Sequence, residues 1–255
     1  MKYVVVGDIH GDYDALMTAL DKAQFNINED CFIGLGDYFD RGEKNLEVLQ
    51  FLREVPHKML VMGNHDIYLY RCLQSKKTDY YDFRNGTVGT ICDLAGVSRV
   101  VGSNLIALQC ADEIFNAASK QNILAFYREN MRMYFETPNH YFTHGWLPMT
   151  DAGKIAPKLD KISDRRWLNA AQGRSVDSIK RFIEKNPTGC GKTIVVGHWA
   201  ADDLKYQLNN DERYFTTDSW TGEKYVNNEQ KIIGLDSTTV ITHRCDFLII
   251  PEEEI

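Results

Sequence analysis

The sequence predicts an α/β fold with its chemistry at the ends of the strands, and three observations favour that class. Short apolar runs at residues 2–6, 31–35 and 58–62 have the length and composition of buried strands. Segments with helical spacing of apolar residues follow the first two runs, at about 12–23 and 43–53. A glycine-flanked polar cluster stands at the end of each run, where the functional loops of an α/β sheet lie.

The elements of the first third follow from local signals. Asp12 is a suitable N-cap for the first helix, in which Leu16 and Leu20 are four residues apart and share one face. The third strand, at 58–62, leads directly into the polar sequence Gly63-Asn64-His65-Asp66. Strand, polar loop and helix therefore alternate through this part of the chain.

The other two thirds give weaker signals. In chain order we expect a helix over 67–76, a polar and mobile cover over 77–96, helical structure over 113–135, a short strand at 141–143, helices within 151–186, a strand at 193–196, and short strands at 213–217, 230–235, 239–242 and 245–250. No repeat or linker divides the chain. We therefore expect one domain over residues 1–255, with variable helical or cap segments at about 77–135 and 151–190.

Composition and charge exclude several classes of protein. The formal net charge of −7 argues against general binding to nucleic-acid backbones, which requires a positive surface. Six scattered cysteines without a C-x-x-C pair suit a reducing compartment. The N-terminus lacks the apolar core of a signal peptide, and no run approaches the roughly 18 apolar residues of a membrane span. We therefore expect a cytoplasmic protein with no membrane partner; its oligomeric state stays open.

The sequence Gly36-Asp37-Tyr38-Phe39-Asp40-Arg41-Gly42 places two acids and a base at the end of the second strand. Two carboxylates at a sheet edge are unfavourable unless cations neutralise them. We interpret Asp37 as a carboxylate shared by two metal ions, with Asp40 and Arg41 acting on a phosphate beside them. Taken alone, this stretch also fits an ordinary polar turn closed by a surface Arg–Asp pair.

Five apolar runs end in such clusters, and together they supply a complete set of ligands. The clusters contain Asp8 and His10; Asp37, Asp40 and Arg41; Asn64 and His65; His144; and His198. Asp8 and His10 are two residues apart on an extended exit and point the same way, which suits one metal ion. Asp37 bridges to a second ion, for which Asn64, His144 and His198 supply an amide oxygen and two imidazoles. Nitrogen and oxygen ligands without thiolate favour Mn, with Fe or Zn as alternatives, over Ca.

The same clusters predict roles in phosphate-ester hydrolysis. Two ions would clamp a phosphate and activate a bridging hydroxide for in-line attack. His65 lies next to a ligand and is the candidate general acid, and Asp40 would keep its imidazole protonated. Arg41 offers a planar fork of donors to the phosphate oxygens, with Asn64 as a second contact. Each cluster alone has an ordinary structural explanation, so the prediction depends on all five together.

Three blocks of sequence resemble the signature blocks of the calcineurin-like metallophosphoesterases. They are Gly7-Asp8-Ile9-His10-Gly11, the stretch from Gly36 to Gly42, and Gly63-Asn64-His65-Asp66. More narrowly, they resemble the phosphoprotein phosphatase branch, with its bacterial and phage serine/threonine phosphatases. The resemblance implies a four-layer αββα sandwich with a dinuclear metal site at the strand ends, and the residue roles given above.

The chain departs from that branch at two places. Asp66 stands where the eukaryotic phosphatases commonly carry Glu. Near Trp167, the family's second phosphate-binding arginine is replaced by Asn169. Arg165 or Arg166 is then either a substitute or a surface charge.

Three functions follow in order of preference. The first is hydrolysis of phosphomonoesters, on phosphoprotein Ser/Thr or small phosphate esters. The second is hydrolysis of dinucleoside polyphosphates or nucleic-acid end phosphates; the tetraphosphate hydrolases resemble the first and third blocks but typically lack the second acid, so Asp40 argues against it. The third is a metal-bound phosphate-binding module without turnover, which would not need His65 and Asp40.

Overall fold

The computed structural model describes residues 1–172, 177–209 and 224–255. Within these ranges the strands are β1 Lys2–Val6, β2 Cys31–Gly34, β3 Lys58–Val61, β4 Met131–Arg132, β5 Tyr134–Glu136, β6 His140–Thr143, β7 Thr193–Ala200, β8 Tyr225–Asn227, β9 Ile232–Asp236 and β10 Phe247–Pro251. The helices are α1 Tyr13–Lys22, α2 Asn45–Glu54, α3 Asn64–Ser75, α4 Tyr80–Asn85, α5 Thr87–Ala95, α6 Arg99–Ala107, α7 Asp112–Ser119, α8 Ile123–Asn130, α9 Asp164–Gln172, α10 Asp177–Lys185, α11 Ala201–Asn209 and α12 Thr239–Thr242. Short 3-10 turns lie at Leu159–Lys161 and Glu252–Glu254.

These strands form two sheets with parallel centres. The first has the order β10-β1-β2-β3-β4, in which β1 to β4 are parallel and β10 is antiparallel at one edge. The second has the order β5-β6-β7-β9-β8, with parallel β6, β7 and β9 between antiparallel edge strands. The carboxyl ends of the parallel strands therefore open on one edge of each sheet, where binding loops gather in α/β folds.

A shared apolar core lies between the sheets. Val5, Ile33, Phe142, Val195 and Leu235 come from central strands of both sheets, pack in one cluster and are fully buried. A second cluster joins the outer face of the first sheet to α1, α2, α3 and the helices from α5 to α8. A third joins the outer face of the second sheet to α9, α10 and α11. The layers are helices, sheet, sheet and helices, so the predicted αββα sandwich is confirmed.

The first third of the chain matches the sequence predictions closely. The three strands lie where expected, although β2 and β3 each end one residue earlier. Asp12 caps α1 by accepting a hydrogen bond of 3.0 Å from the backbone N–H of Ala15. None of the helices in the described residues is long and apolar enough to cross a membrane.

The segment 77–96 was predicted to be a mobile cover, and that prediction is wrong. It contains α4 and α5, and the apolar face of α5 (Val88, Ile91, Leu94) is buried in the main core. Asp79 initiates α4 by accepting hydrogen bonds from the backbone N–H groups of Tyr81 and Asp82. Gly86, Gly89 and the polar residues before them favour an irregular segment, whereas burial of the apolar face of α5 stabilises a helix.

Other boundaries also differ from prediction. The predicted helical structure at 113–135 consists of α7 and α8 but ends in β4 and the start of β5, while α11 and β8 were not predicted. Residues 239–242 form helix α12 rather than a strand. Their β-branched sequence favours a strand, but the Thr239 hydroxyl donates to the backbone oxygens of Asp8 and Arg244 and fixes a turn. The predicted strand at 213–217 lies outside the described residues.

The apolar core between the sheets predicts that two isoleucines contribute very differently to the free energy of unfolding. Ile33→Ala removes a fully buried side chain between the sheets, so we expect the free energy of unfolding to fall by about 2–5 kcal/mol. Ile249→Ala is the matched control, because Ile249 on edge strand β10 is 42% exposed and should change stability by no more than about 0.5 kcal/mol. Urea denaturation measures both, and equal effects would contradict the layer assignment.

Candidate active site

The six predicted metal ligands converge at the edge where both sheets end. Asp8 Oδ2 lies 3.9 Å from His10 Nε2, and Asp8 Oδ1 lies 3.8 Å from His144 Nδ1. The backbone N–H of His198 donates to Asp8 Oδ1 over 2.9 Å. Residues from the first sheet and the second sheet therefore meet around one carboxylate, although Asp8 and His198 are 190 positions apart.

Asp37 occupies the centre of this group. Its Oδ2 lies 3.8 Å from His10 Nε2, and its Oδ1 lies 3.4 Å from His144 Nε2. Two groups of potential ligand atoms, each within 4.8 Å of one another, share Asp37: one with His10 and His65, the other with His144 and His198. Asn64 Oδ1 adds an amide oxygen 3.0 Å from His144 Nε2.

Several residues of the site have an uncommon backbone conformation, in the loops after β1 and β2 and, for His198, within β7 where its pairing with β9 is irregular. His10, Asp37, Asp40, Arg41 and His198 all have positive φ, between 50° and 74°. Such residues are uncommon outside glycine and persist where the surroundings fix them. The loops also approach one another so closely that a Cβ at Gly63 would lie 2.1 Å from Asp37 Oδ1. This contact explains why glycine follows the third strand.

Asp66 connects the loop after β2 to the loop after β3 by hydrogen bonds. Its Oδ2 accepts hydrogen bonds from the backbone N–H groups of Asp37 at 2.8 Å and Gly63 at 2.9 Å, and its Oδ1 accepts a longer one from Tyr38 at 3.3 Å. Burial and the charge of Asp37 raise the pKa of Asp66 to about 7. In the sequence, Asp66 stands out only as a departure from the Glu of the eukaryotic phosphatases. Its position in the first turn of α3, three residues after Gly63, was the available signal.

His65 and Asp40 form a buried pair beside the shared carboxylate. His65 Nδ1 and Asp40 Oδ2 are 2.8 Å apart, and Asp40 also accepts hydrogen bonds from the hydroxyls of Thr87 and Thr90. Burial alone would lower the pKa of His65, but the charge of Asp37 and the hydrogen bond to Asp40 raise it. Thr87 and Thr90 were not predicted, since they lie 47 and 50 residues from Asp40 in a segment without a motif.

Arg41 closes the group on the side of His10 and His65. Its Nη1 lies 3.4 Å from His10 Nε2, and its Nη2 lies 3.2 Å from His65 Nε2. A guanidinium in this position can present several N–H groups to the oxygens of one phosphate.

The electrostatics of the group favour bound cations. Burial lowers the pKa of His144, but the carboxylates of Asp37 and Asp8 more than reverse this effect and raise it to about 10. Burial and the neighbouring His144 lower the pKa of His198 to about 3. The buried carboxylates thus stabilise positive charge between them. Two carboxylates, an amide oxygen and three imidazoles without thiolate also match the donors preferred by Mn, Fe and Zn, so these residues fit divalent metal ions.

The structure does not bring Arg165 and Arg166 into contact with this group. Both side chains are exposed on α9, and Arg166 Nη2 donates to the backbone oxygen of Met149 over 2.9 Å. Trp167 is buried and donates to the backbone oxygen of Leu159. The end of α9 does reach the site, where the backbone oxygen of Gln172 is hydrogen-bonded to His198. The described contacts therefore favour surface roles for both arginines.

Comparison with known proteins identifies a family and a fold. The family model for calcineurin-like phosphoesterases matches residues 1–229. Two symmetrical bis(5′-nucleosyl)-tetraphosphatases are similar: that of Psychromonas ingrahamii is 39% identical over 80 residues, or 31% of this chain and 29% of the relative, and that of Erwinia tasmaniensis is 44% identical over 70 residues, or 27% and 26%. The matched stretches thus span less than a third of these relatives.

Solved structures agree on the fold over most of the chain. A protein described provisionally as a diadenosine tetraphosphatase gives a TM-score of 0.55 at 16% identity, covering 98% of this chain and 89% of the other. A cold-active protein-tyrosine phosphatase from a Shewanella species gives 0.51 at 17% identity, covering 98% and 75%. At these identities the likeness concerns the fold alone.

The role of Asp66 can be tested against a matched aspartate. Asp66→Asn replaces one acceptor oxygen by a donor group, so we expect metal to bind roughly tenfold more weakly because the ligand loops lose their connection. Asp30→Asn is the control: Asp30 is also buried and accepts backbone hydrogen bonds, from Lys2 and Asn26, but at the start of β2. Both variants should lose about 1–3 kcal/mol in urea denaturation. Metal titration by calorimetry should separate them, and unchanged metal affinity in Asp66→Asn would contradict the connection.

Proposed function

Because this chain belongs to the calcineurin-like phosphoesterase family, we propose that it is a metal-dependent hydrolase of phosphoric esters or anhydrides. The observation that carries the proposal is the position of Asp37. One of its oxygens lies near His10 and the other near His144, at 3.8 and 3.4 Å. A single carboxylate between two sets of nitrogen and oxygen donors is the arrangement required to bridge two divalent ions.

The ligands divide into two sets around that carboxylate. Asp8, His10 and Asp37 would hold one ion, and Asp37, Asn64, His144 and His198 would hold the other. When bound, two divalent ions polarise the phosphoryl group and supply an activated water for in-line displacement. Mn is the first ion to test, with Fe and Zn next.

The other residues of the site handle the substrate. Arg41 would offer its guanidinium N–H groups to the phosphate oxygens, and Asn64, whose Oδ1 lies 3.0 Å from His144 Nε2, would be a second contact. His65 Nδ1 contacts Asp40, and Nε2 lies 3.2 Å from Arg41 Nη2. Because a guanidinium can only donate, Nε2 can carry a proton only when Arg41 has turned from it to the phosphate oxygens. A proton on His65 Nε2 would pass to the oxygen of the leaving group as its bond to phosphorus breaks.

A dinucleoside tetraphosphate is the first candidate substrate. The similar curated proteins are named symmetrical bis(5′-nucleosyl)-tetraphosphatases and are 39–44% identical over their matched stretches. This support reverses the order reached from the sequence, in which phosphomonoesters came first. The short matched stretches make the substrate a question for direct assay.

A phosphomonoester is the second candidate, favoured by the Asp40–His65 pair. The leaving alkoxide of an ester such as phosphoserine requires a proton, whereas a nucleotide leaving group is already a weak base. A positioned imidazole 2.8 Å from a buried carboxylate is therefore of most use with esters. Phosphoprotein and small phosphate esters would use this pair in the same way.

Two wider expectations also remain proposals. We place the protein in the cytoplasm, in agreement with its six free cysteines, of which four are buried. We also retain the single domain over residues 1–255.

A substrate panel with Mn tests the proposed function. We expect turnover of diadenosine tetraphosphate to two molecules of ADP, the products of symmetrical cleavage, and loss of that turnover in protein stripped with a chelator. Faster turnover of p-nitrophenyl phosphate and a phosphoserine peptide would favour the second candidate. No turnover of any of the three would contradict the proposal and favour a phosphate-binding module.

The role of His65 separates a general acid from a metal ligand. His65 Nε2 lies 4.0 Å from Asp37 Oδ2, close enough for either role. We expect His65→Asn to lower kcat on a phosphoserine peptide by roughly 100-fold or more while elemental analysis finds the same metal content. His140→Asn is the control, since His140 is buried at the start of β6 and stacks on Phe142. Loss of metal from His65→Asn would make His65 a ligand.

A further inference from the structure

Three side chains form hydrogen bonds to the carboxylate of Asp40. Its Oδ2 accepts a hydrogen bond of 2.6 Å from the Thr87 hydroxyl and lies 2.8 Å from His65 Nδ1. Its Oδ1 accepts a hydrogen bond of 2.7 Å from the Thr90 hydroxyl. All three partners are buried, and Asp40 itself has no exposed surface. Both oxygens are therefore fixed by hydroxyl donors from α5.

Thr90 also holds the backbone of the same residue. The N–H of Asp40 donates to Thr90 Oγ1 over 3.0 Å and to Asn45 Oδ1 over 3.1 Å. Thr87 and Thr90 are three residues apart on a helix, so both hydroxyls lie on the face that meets the loop. One helix face thus contacts the backbone and both carboxylate oxygens of Asp40.

The loop needs such support because its conformation is strained. Asp40 and Arg41 have φ of 74° and 70°, which costs free energy for residues with a side chain. The same helical segment braces the next residues: Arg99 donates to the backbone oxygens of Arg41 and Gly42 and forms an ion pair with Asp93. The segment 80–107 therefore acts as a support for the second sequence block rather than as a cover.

We propose that Thr87 and Thr90 are positioning residues of the reaction. By fixing both oxygens of Asp40, they set the plane of the carboxylate and hence the orientation of the His65 ring that donates the proton. Neither threonine touches the substrate in this account. The inference rests on the proposed hydrolase function, but the placement of His65 by the two hydroxyls can be measured without turnover.

A purely structural role makes different predictions. If the hydroxyls serve only to satisfy a buried carboxylate, their loss lowers stability and slows all substrates alike. If they position the proton donor, their loss slows a substrate in proportion to how strongly its leaving group needs a proton. An alkoxide depends on the acid, whereas p-nitrophenolate leaves without one.

The kinetic test compares Thr87→Val, which keeps the shape, with Thr87→Ser, which keeps the hydroxyl. We expect Thr87→Val to lower kcat roughly tenfold on an alkyl phosphate but less than about threefold on p-nitrophenyl phosphate. Its KM and metal content should not change, and Thr87→Ser should have a kcat close to that of the wild type on both substrates. Thr137→Val is the control, since it removes a hydroxyl hydrogen-bonded to His140 in the β5–β6 turn, away from the site. An equal loss on both esters, or no loss on either, would overturn the proposal.

Two additions keep the test decisive. Thr90→Val is measured in the same way, so the outcome does not depend on the folding of one variant.

In protein loaded with a diamagnetic ion, the His65 Nδ1–H proton is observed by NMR and assigned by its disappearance in His65→Asn. We expect a shifted or broadened resonance in Thr87→Val and a normal one in Thr87→Ser. If no phosphomonoester is hydrolysed by wild type, the phosphomonoester candidate fails, while this resonance still decides the positioning role: an unchanged signal in Thr87→Val would overturn it.

Discussion

Asp8, Asp37 and Asp66 bring three buried carboxylates together at the edge where the two sheets end. Unpaired negative charge in a protein interior is strongly unfavourable, so this edge is stable only with compensating positive charge and hydrogen-bond donors. The structure supplies donors to each of them: backbone N–H groups donate to Asp66, and the N–H of His198 donates to Asp8. For Asp37 it supplies the N–H of His65 and surrounds the carboxylate with imidazoles. In the proposed function, divalent ions would complete this compensation, and their positive charge would also polarise the phosphate of the substrate.

The fold serves this arrangement by placing short, strained loops at the ends of well-packed strands. Central strands buried on both faces give each loop a rigid start, and the left-handed residues then turn the side chains back towards a common centre. The strain is offset by hydrogen bonds with Asp66, in the third sequence block, and with the α5 hydroxyls, which lie outside the blocks. Functional geometry of this kind commonly depends on support from neighbouring residues.

The sequence predicts best the features whose signals lie in a few neighbouring residues. Asp8, His10, Asp37, Asn64 and His65 sit in contiguous glycine-flanked blocks after apolar runs, so their convergence could be inferred from the behaviour of parallel strands. Contacts made across long separations left no such pattern. Sequence patterns therefore fail in two ways: they do not reveal contacts between residues far apart in the chain, and they do not reveal where tertiary hydrogen bonds override local preference.

Thr87 and Thr90 illustrate the first kind of miss, because nothing in their own segment indicates a buried carboxylate 47 and 50 residues earlier. Residues 239–242 illustrate the second, because tertiary hydrogen bonds override a β-branched sequence.

The central claim is that Asp37 is shared by two metal ions, and electron paramagnetic resonance of Mn-loaded protein tests it most directly. We predict two Mn ions per chain with an exchange-coupled spectrum, and loss of that coupling in Asp37→Asn. Two uncoupled ions or a single ion in wild type, or a coupled pair that persists in Asp37→Asn, would contradict the account.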